Sequence, residues 1–279
     1  TNQFNGNFVV ENSIRRCIRG VWVRDLTANS DGNSISHNEI EGGEVGDVAA
    51  IDIEGASNNT IAENRCEYSP NATAHIIVRG GSGNAVRNEL LNNHCVGTAA
   101  SLSIGDASGS GEVQNTTISG GYYAGAITIG VSASYTKLIV DGRSIAGTAT
   151  AITNNSTTSR FSIYNDQSFT VGITGGTTSP TASWTYSIAE NVVTIEVSQI
   201  LVTSNSTACT ITGLPALIRP SSTQTVLLRV RDNSATAVGL GEISSAGVIT
   251  LTNSVAGGGA MTNGNQKGLQ PQTITYRLP

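Results

Sequence analysis

The sequence predicts an all-β protein: a right-handed single-stranded parallel β-helix followed by an antiparallel β-sandwich. Three observations carry this expectation. A phrase of the form Asn-x-apolar-x-x-Asn-x-apolar recurs every 23 to 31 residues, and a steady period in that range marks one structural unit stacked on copies of itself. A second apolar alternation keeps a similar period independently. No stretch sustains a 3.6-residue apolar period, while Val, Ile and Thr alternate in short runs broken by Gly, Asn and Ser. That is the pattern of strands and turns.

The first phrase reads Asn2-x-Phe4-x-x-Asn7-x-Val9, then Asn33-x-Ile35-x-x-Asn38-x-Ile40, Asn59-x-Ile61-x-x-Asn64-x-Cys66 and Asn84-x-Val86-x-x-Glu89-x-Leu91. Fainter copies centre on Val113, Leu138 and Phe161. The second alternation ends at Val23, Ile53, Val78, Ile104, Ile129 and Ile152. Leu-x-x-Leu-x-Leu phrases and Trp-Asp signatures are absent, which excludes leucine-rich repeats and WD propellers. In a β-helix, alternate residues point into a narrow core and stack on their equivalents about 4.8 Å along the axis, so seven coils extend roughly 34 Å. Asn suits the corners because it tolerates left-handed backbone and bonds to neighbouring main chain, and stacked Asn side chains can form amide ladders. Cys66 takes the slot held by Ile40 and Leu91 in neighbouring repeats, which makes it a small buried hydrophobe.

The period fades after Tyr164-Asn165, and residues 1–167 are assigned to the β-helix. Residues 168–279 read differently, with strands at Trp184–Ile188, Val192–Val197, Ala208–Ile211, Val226–Val230, Val248–Leu251 and Thr273–Leu278. Turn signals such as Glu190-Asn191, Gly213-Leu214-Pro215 and Asp232-Asn233 separate them. That spacing suggests a sandwich of about 100 residues. The repeat starts at once at Asn2 with no capping segment, which points to a piece of a longer rod.

Composition narrows the function classes. The net charge is −5 with a pI near 5.2, which argues against nucleic acid as the main partner. Neither a membrane-spanning apolar run nor a signal-peptide pattern is present, so membrane insertion is not expected. Cys17, Cys66, Cys95 and Cys209 show no metal-ligand spacing, and no cofactor or metal is expected. Unpaired cysteines suit synthesis in a reducing cytoplasm.

The Asn-x-Ile rungs, with Gly20-Val21-Trp22-Val23-Arg24-Asp25 as one strand, resemble the pectate-lyase-like β-helix of bacteriophage tailspikes. Gly213-Leu214-Pro215-Ala216-Leu217-Ile218-Arg219-Pro220, Val230-Arg231-Asp232-Asn233, Ile243 to Ile249 and Thr273-Ile274-Thr275-Tyr276 resemble the terminal sandwich of phage tail spikes and fibres. The resemblance covers nearly the whole chain. It implies a homotrimer at the distal end of the virion tail, made in the bacterial host cytoplasm. It further implies binding to a bacterial surface polysaccharide (capsule or lipopolysaccharide O-antigen), usually with depolymerisation by a glycoside hydrolase or polysaccharide lyase. In such proteins the glycan groove commonly lies on the middle coils, so the catalytic residues of the whole protein can lie upstream of Thr1. A trimer also agrees with the need to cover the open strand edges at a β-helix end.

Aligning the second alternation predicts which outward positions meet. The slot before the last core residue holds Trp22, Asp52, Ile77 and Ser103, and the slot after it holds Arg24, Glu54 and Arg79. Trp22 offers a platform for a pyranose face. Asp52 and Glu54 lie on one strand face about 7 Å apart at the backbone, within reach of the separation an inverting glycosidase uses for its acid and base. Arg24 and Arg79 suit a carboxylate-bearing sugar. Asp25 and Asp47 are further carboxylate candidates. The competing reading is structural: Arg24-Glu54-Arg79 as a stabilising ladder and Trp22 packed in a trimer interface. His37, His75 and His94 fall at different phases and form no cluster.

Overall fold

A computed structural model describes residues 6–24, 31–42, 48–68, 72–97, 99–105, 111–141, 152–156, 158–256 and 259–278. The chain divides into two compact units, Thr1–Tyr164 and Asn165–Pro279, against the expected boundary after residue 167. The protein is nearly all β, with one short 3-10 turn at Ala216–Ile218 among the described residues.

The first unit is a parallel β-solenoid of about 5 turns. Each full coil lays one strand on each of three faces. The first face stacks Phe8–Val10, Ser34–Ser36, Thr60–Ala62, Glu89–Leu91, Thr117–Ser119 and Lys137–Asp141. The second stacks Ser13–Arg15, Glu39–Glu41, Arg65–Tyr68, His94–Gly97 and Tyr122–Tyr123. The third, which carries the candidate site, stacks Arg19–Arg24, Ala49–Glu54, Ile76–Arg79, Leu102–Ile104, Ile127–Ile129 and Ile152–Asn154.

The core follows from the alternation. On the first face Val9, Ile35, Ile61, Leu90, Ile118, Leu138 and Phe161 stack in register. Each fully buried aliphatic side chain in such a column contributes roughly 1.5–3 kcal/mol. The column corrects the expected alignment at three places. Val9, not Phe4, is the partner of Ile35; Leu90, not Val86, follows Ile61; Ile118, not Val113, follows Leu90. Val86 and Val113 belong instead to a small corner sheet of Ala85–Val86, Val113–Gln114 and Ala133–Ser134. On the second face Cys66 lies between Ile40 and Cys95, not Leu91, and it is buried as expected. On the third face Ile152 pairs with Ile127, so Asn154 and not Ile152 continues the column ending at Ile129.

Two amide ladders flank the first face. Asn7, Asn33, Asn59 and Asn88 pass Nδ2 to Oδ1 bonds from coil to coil at 3.0, 2.8 and 2.8 Å. Asn12, Asn38, Asn64 and Asn93 do the same at 3.0, 2.9 and 3.0 Å. Each Oδ1 also accepts from the backbone N–H of the preceding ladder residue, as Asn88 does from Asn59. The residue just before each ladder position turns through the left-handed region, for example Asn58 at φ 55° and Glu63 at φ 55°. That turn aims the amide inward along the stack, where every donor and acceptor must find a partner.

The second unit is antiparallel. Strands Gln224–Asp232 and Ala235–Ile243 form a long hairpin flanked by Ile249–Leu251 and Gln266–Leu269, with Thr210–Thr212 and Ile200–Thr203 beyond. Thr181–Ala189, Val192–Val197 and Gln272–Arg277 form a second antiparallel run. Ala235–Ile243, Ile200–Thr203 and Gln266–Leu269 are strands beyond those expected from the sequence. In Ala235–Ile243 and Gln266–Leu269, Gly and polar residues (Gly239, Gly241, Gln266, Gly268) mask the alternation that otherwise signals a strand. Trp184 anchors this unit: it is buried, its Nε1 donates to Ser198 O at 3.0 Å, and Phe169 meets it edge-on at 6.1 Å.

Candidate functional site

On the third face the register aligns the predicted residues as expected. Trp22 lies opposite Asp52 and Arg24 opposite Glu54, and the next coil sets Ile77 and Arg79 against that carboxylate pair. Gly20 permits the first of these strands to sit close to its neighbour. A Cβ there would lie 2.3 Å from Ile40 Cγ2 and 2.6 Å from Ala50 O.

The side chains form one ionic network. Arg79 holds Asp52 with two bonds, Nε to Oδ1 at 3.1 Å and Nη2 to Oδ2 at 2.9 Å, and the same Nη2 donates to Glu54 Oε2 at 3.2 Å. Arg19 Nε stands 3.0 Å from Asp52 Oδ2 in an ionic contact without hydrogen-bond alignment. Arg24 Nε lies 3.2 Å from Glu54 Oε1. Trp22 Nε1 donates to Glu54 Oε2 at 3.3 Å. The guanidinium carbons of Arg19 and Arg24 lie 4.4 and 5.2 Å from the centre of the Trp22 ring, which is cation–π distance. Among the described residues, three guanidiniums meet two carboxylates in this cluster, on a chain of net charge −5.

Burial divides the network into a base and a rim. Asp52 has no exposed side-chain surface, although its strand position points outward. Its register partner on the next coil, Ile77, is also buried, in a cluster with Ala49 and Ala74 against which Val48 and Ala100 pack. Burial raises the Asp52 carboxyl above its usual range, against the opposing pull of Arg79 and Arg19. Glu54 keeps 14% of its side chain exposed, and Gly81 crowds it, since a Cβ on Gly81 would lie 2.9 Å from Glu54 Cγ. Trp22 retains 44% exposure. The base therefore fixes the arginines, and the arginines fix a half-exposed indole.

Asp52 and Glu54, expected as a solvent-facing acid and base, are thus brought together by a shared arginine. Trp22, Arg24 and Arg79 join the same cluster. Asp25 and Asp47 lie outside the described residues. Arg19 was not among the expected residues, because its strand parity matches that of inward-facing Val21 and Val23. The apolar Ile77 in an otherwise polar outward slot was the available sign that Asp52 is covered. Buried His75 places Nδ1 2.9 Å from Ala100 O, and burial lowers its pKa below the ordinary histidine value. Among the described residues no three His, Cys, Asp or Glu side chains gather as a metal ion would require.

No protein-family model matches the sequence, and no curated protein matches it.

Proposed function

We propose that this chain recognises a bacterial surface polysaccharide, capsule or lipopolysaccharide O-antigen, as part of a homotrimeric bacteriophage tailspike at the distal end of the virion tail. The observation that carries the reading is the half-exposed Trp22, held on the flank of a β-solenoid between Arg19 and Arg24 by the buried Asp52–Arg79 pair. A rigid aromatic surface ringed by donors suits a sugar, whose C–H face stacks while its hydroxyls accept hydrogen bonds. The arginines favour a sugar bearing a carboxylate. Recognition is better supported than acid–base chemistry by the expected carboxylate pair. Asp52 has no path to a glycosidic oxygen, and both carboxylates are neutralised by arginine.

Cleavage of the bound polymer, by hydrolysis or by elimination at a uronic acid, is the second reading. It is favoured by Glu54, the one carboxyl of the pair that keeps solvent access beside Trp22. Both readings are tested with immobilised capsular and O-antigen polysaccharides. The first expects binding by the chain and at least tenfold weaker binding by Trp22→Ala. The second expects shorter products on sizing, lost in Glu54→Gln; new near-ultraviolet absorbance would assign elimination. Absence of binding across such polymers would overturn both.

A further inference from the structure

The left-handed corner that sets up the first amide ladder also sends side chains outward. One corner column, on the amino-terminal side of the Asn7-to-Asn88 ladder, turns through the left-handed backbone region in every coil. Its members are Gly6, Gly32, Asn58, Arg87, Asn115 and Tyr135, and up to Asn115 each donates its N–H to the carbonyl of the residue just before the next member. Glycine and asparagine tolerate this conformation with little strain, whereas a bulky aromatic does not. Tyr135 adopts it nevertheless, at φ 51°, and leaves its side chain 65% exposed. Val131, in the turn just before, is also strongly exposed. A strained backbone bearing a large exposed ring costs stability, and such costs persist where function needs the side chain.

The neighbours along the column supply polar groups of the right kind. Asn115, one coil away, is exposed, and its side-chain amide makes no hydrogen bond among the described residues. Arg87, one coil further, is exposed and commits its Nε to Asn58 Oδ1 at 2.9 Å. Thr158 lies on the other side, where its Oγ1 accepts from the Tyr135 backbone N–H at 3.2 Å. Successive coils are about 4.8 Å apart, close to the advance of a polysaccharide by one pyranose unit. A repeating polymer laid along the solenoid axis would therefore meet one corner residue per sugar. The ring stacks on a pyranose face, and the amide and guanidinium bond to hydroxyls.

We infer that the corner ridge Tyr135–Asn115–Arg87 is a second polysaccharide-binding subsite that takes a linear glycan running along the solenoid axis. It is separate from the Trp22 cluster, and it rests on the reading that the chain binds polysaccharide. The test measures binding of the full chain to arrayed capsular and O-antigen polysaccharides for Tyr135→Gly, Asn115→Gly and Trp22→Ala. Tyr135→Gly relieves the backbone strain, so its Tm is expected to hold or rise while glycan binding weakens at least fivefold. Asn115→Gly, which keeps the left-handed corner unstrained, is expected to weaken binding with Tm unchanged. A ridge that served only packing would show the reverse, a lower Tm with binding intact, and that result overturns the inference. Binding lost in Trp22→Ala but untouched in both ridge variants also overturns the ridge while leaving the wider reading standing. If no polysaccharide binds the unaltered chain, the wider reading falls and the ridge falls with it.

Discussion

At the residue scale, Asp52 shows how position and environment part company. Its strand parity is outward, yet its side chain is fully buried, and two arginines neutralise it. Removing one partner of a buried pair leaves the others uncompensated, which typically costs about 3–5 kcal/mol. Asp52→Ala is therefore expected to lower unfolding stability by that order in denaturant titration, whereas Arg24→Ala, in a half-exposed pair, should cost under about 1 kcal/mol. Equal small losses would show that the network is not a structural base. His75 contributes a pH dependence. Its folded-state pKa is lowered by burial, so the neutral ring stabilises the fold above the ordinary value near 6.5. That contribution is lost as pH falls through the folded-state pKa. Stability should decline on acidification below about pH 6.5, and His75→Gln should flatten that decline. Neither burial was legible from the residues alone, because alternation assigns a side chain to a face but not the segment that covers it. The apolar Ile77 was the one trace.

At the scale of the element, the Asn phrase itself caused the register to be misread. Asn7-x-Val9-x-x-Asn12-x-Ile14 repeats the pattern of Asn2-x-Phe4-x-x-Asn7-x-Val9 five residues on. Each coil uses the same corner chemistry twice, a left-handed residue followed by an inward Asn, so the phrase resembles itself at a shift of five. In the fourth coil the ladder phrase is Asn88-x-Leu90-x-x-Asn93-x-Cys95, four residues beyond the similar Asn84-x-Val86. Hydrogen bonds between coils remove the ambiguity, since Asn7 bonds to Asn33 and Asn59 to Asn88 through their side-chain amides. The ladder also makes a prediction. Asn64 donates to Asn93 Oδ1 and Ile35 O and accepts from Asn38. Asn64→Ala leaves several buried partners unmatched, at about 1–3 kcal/mol for each. A loss of at least 3 kcal/mol in chemical denaturation is expected, and a loss below 1 would mean that the coils relax around the gap.

For the whole molecule, the proposed trimer has a direct consequence. Light scattering of the purified chain should give three times the 28.7 kDa of one copy, and a monomer at micromolar concentration would count against the tailspike reading. The sequence by itself determined the class of fold: short β-branched alternations on a 23-to-31-residue period leave few architectures, and both the parallel solenoid and the antiparallel unit follow from them. It also determined which outward residues meet on the third face, because the core columns Val21–Ile51–Ile76 and Val23–Ile53–Val78 lock that register. Tertiary structure alone decided that Asp52 is buried, that Arg19 turns onto Trp22, and that Val9 and Leu90 hold the first-face column. The physical reason is common to all three. Local pattern encodes the alternation of faces along one strand, while cover, charge pairing and coil-to-coil register depend on contacts between residues some 25 to 30 positions apart.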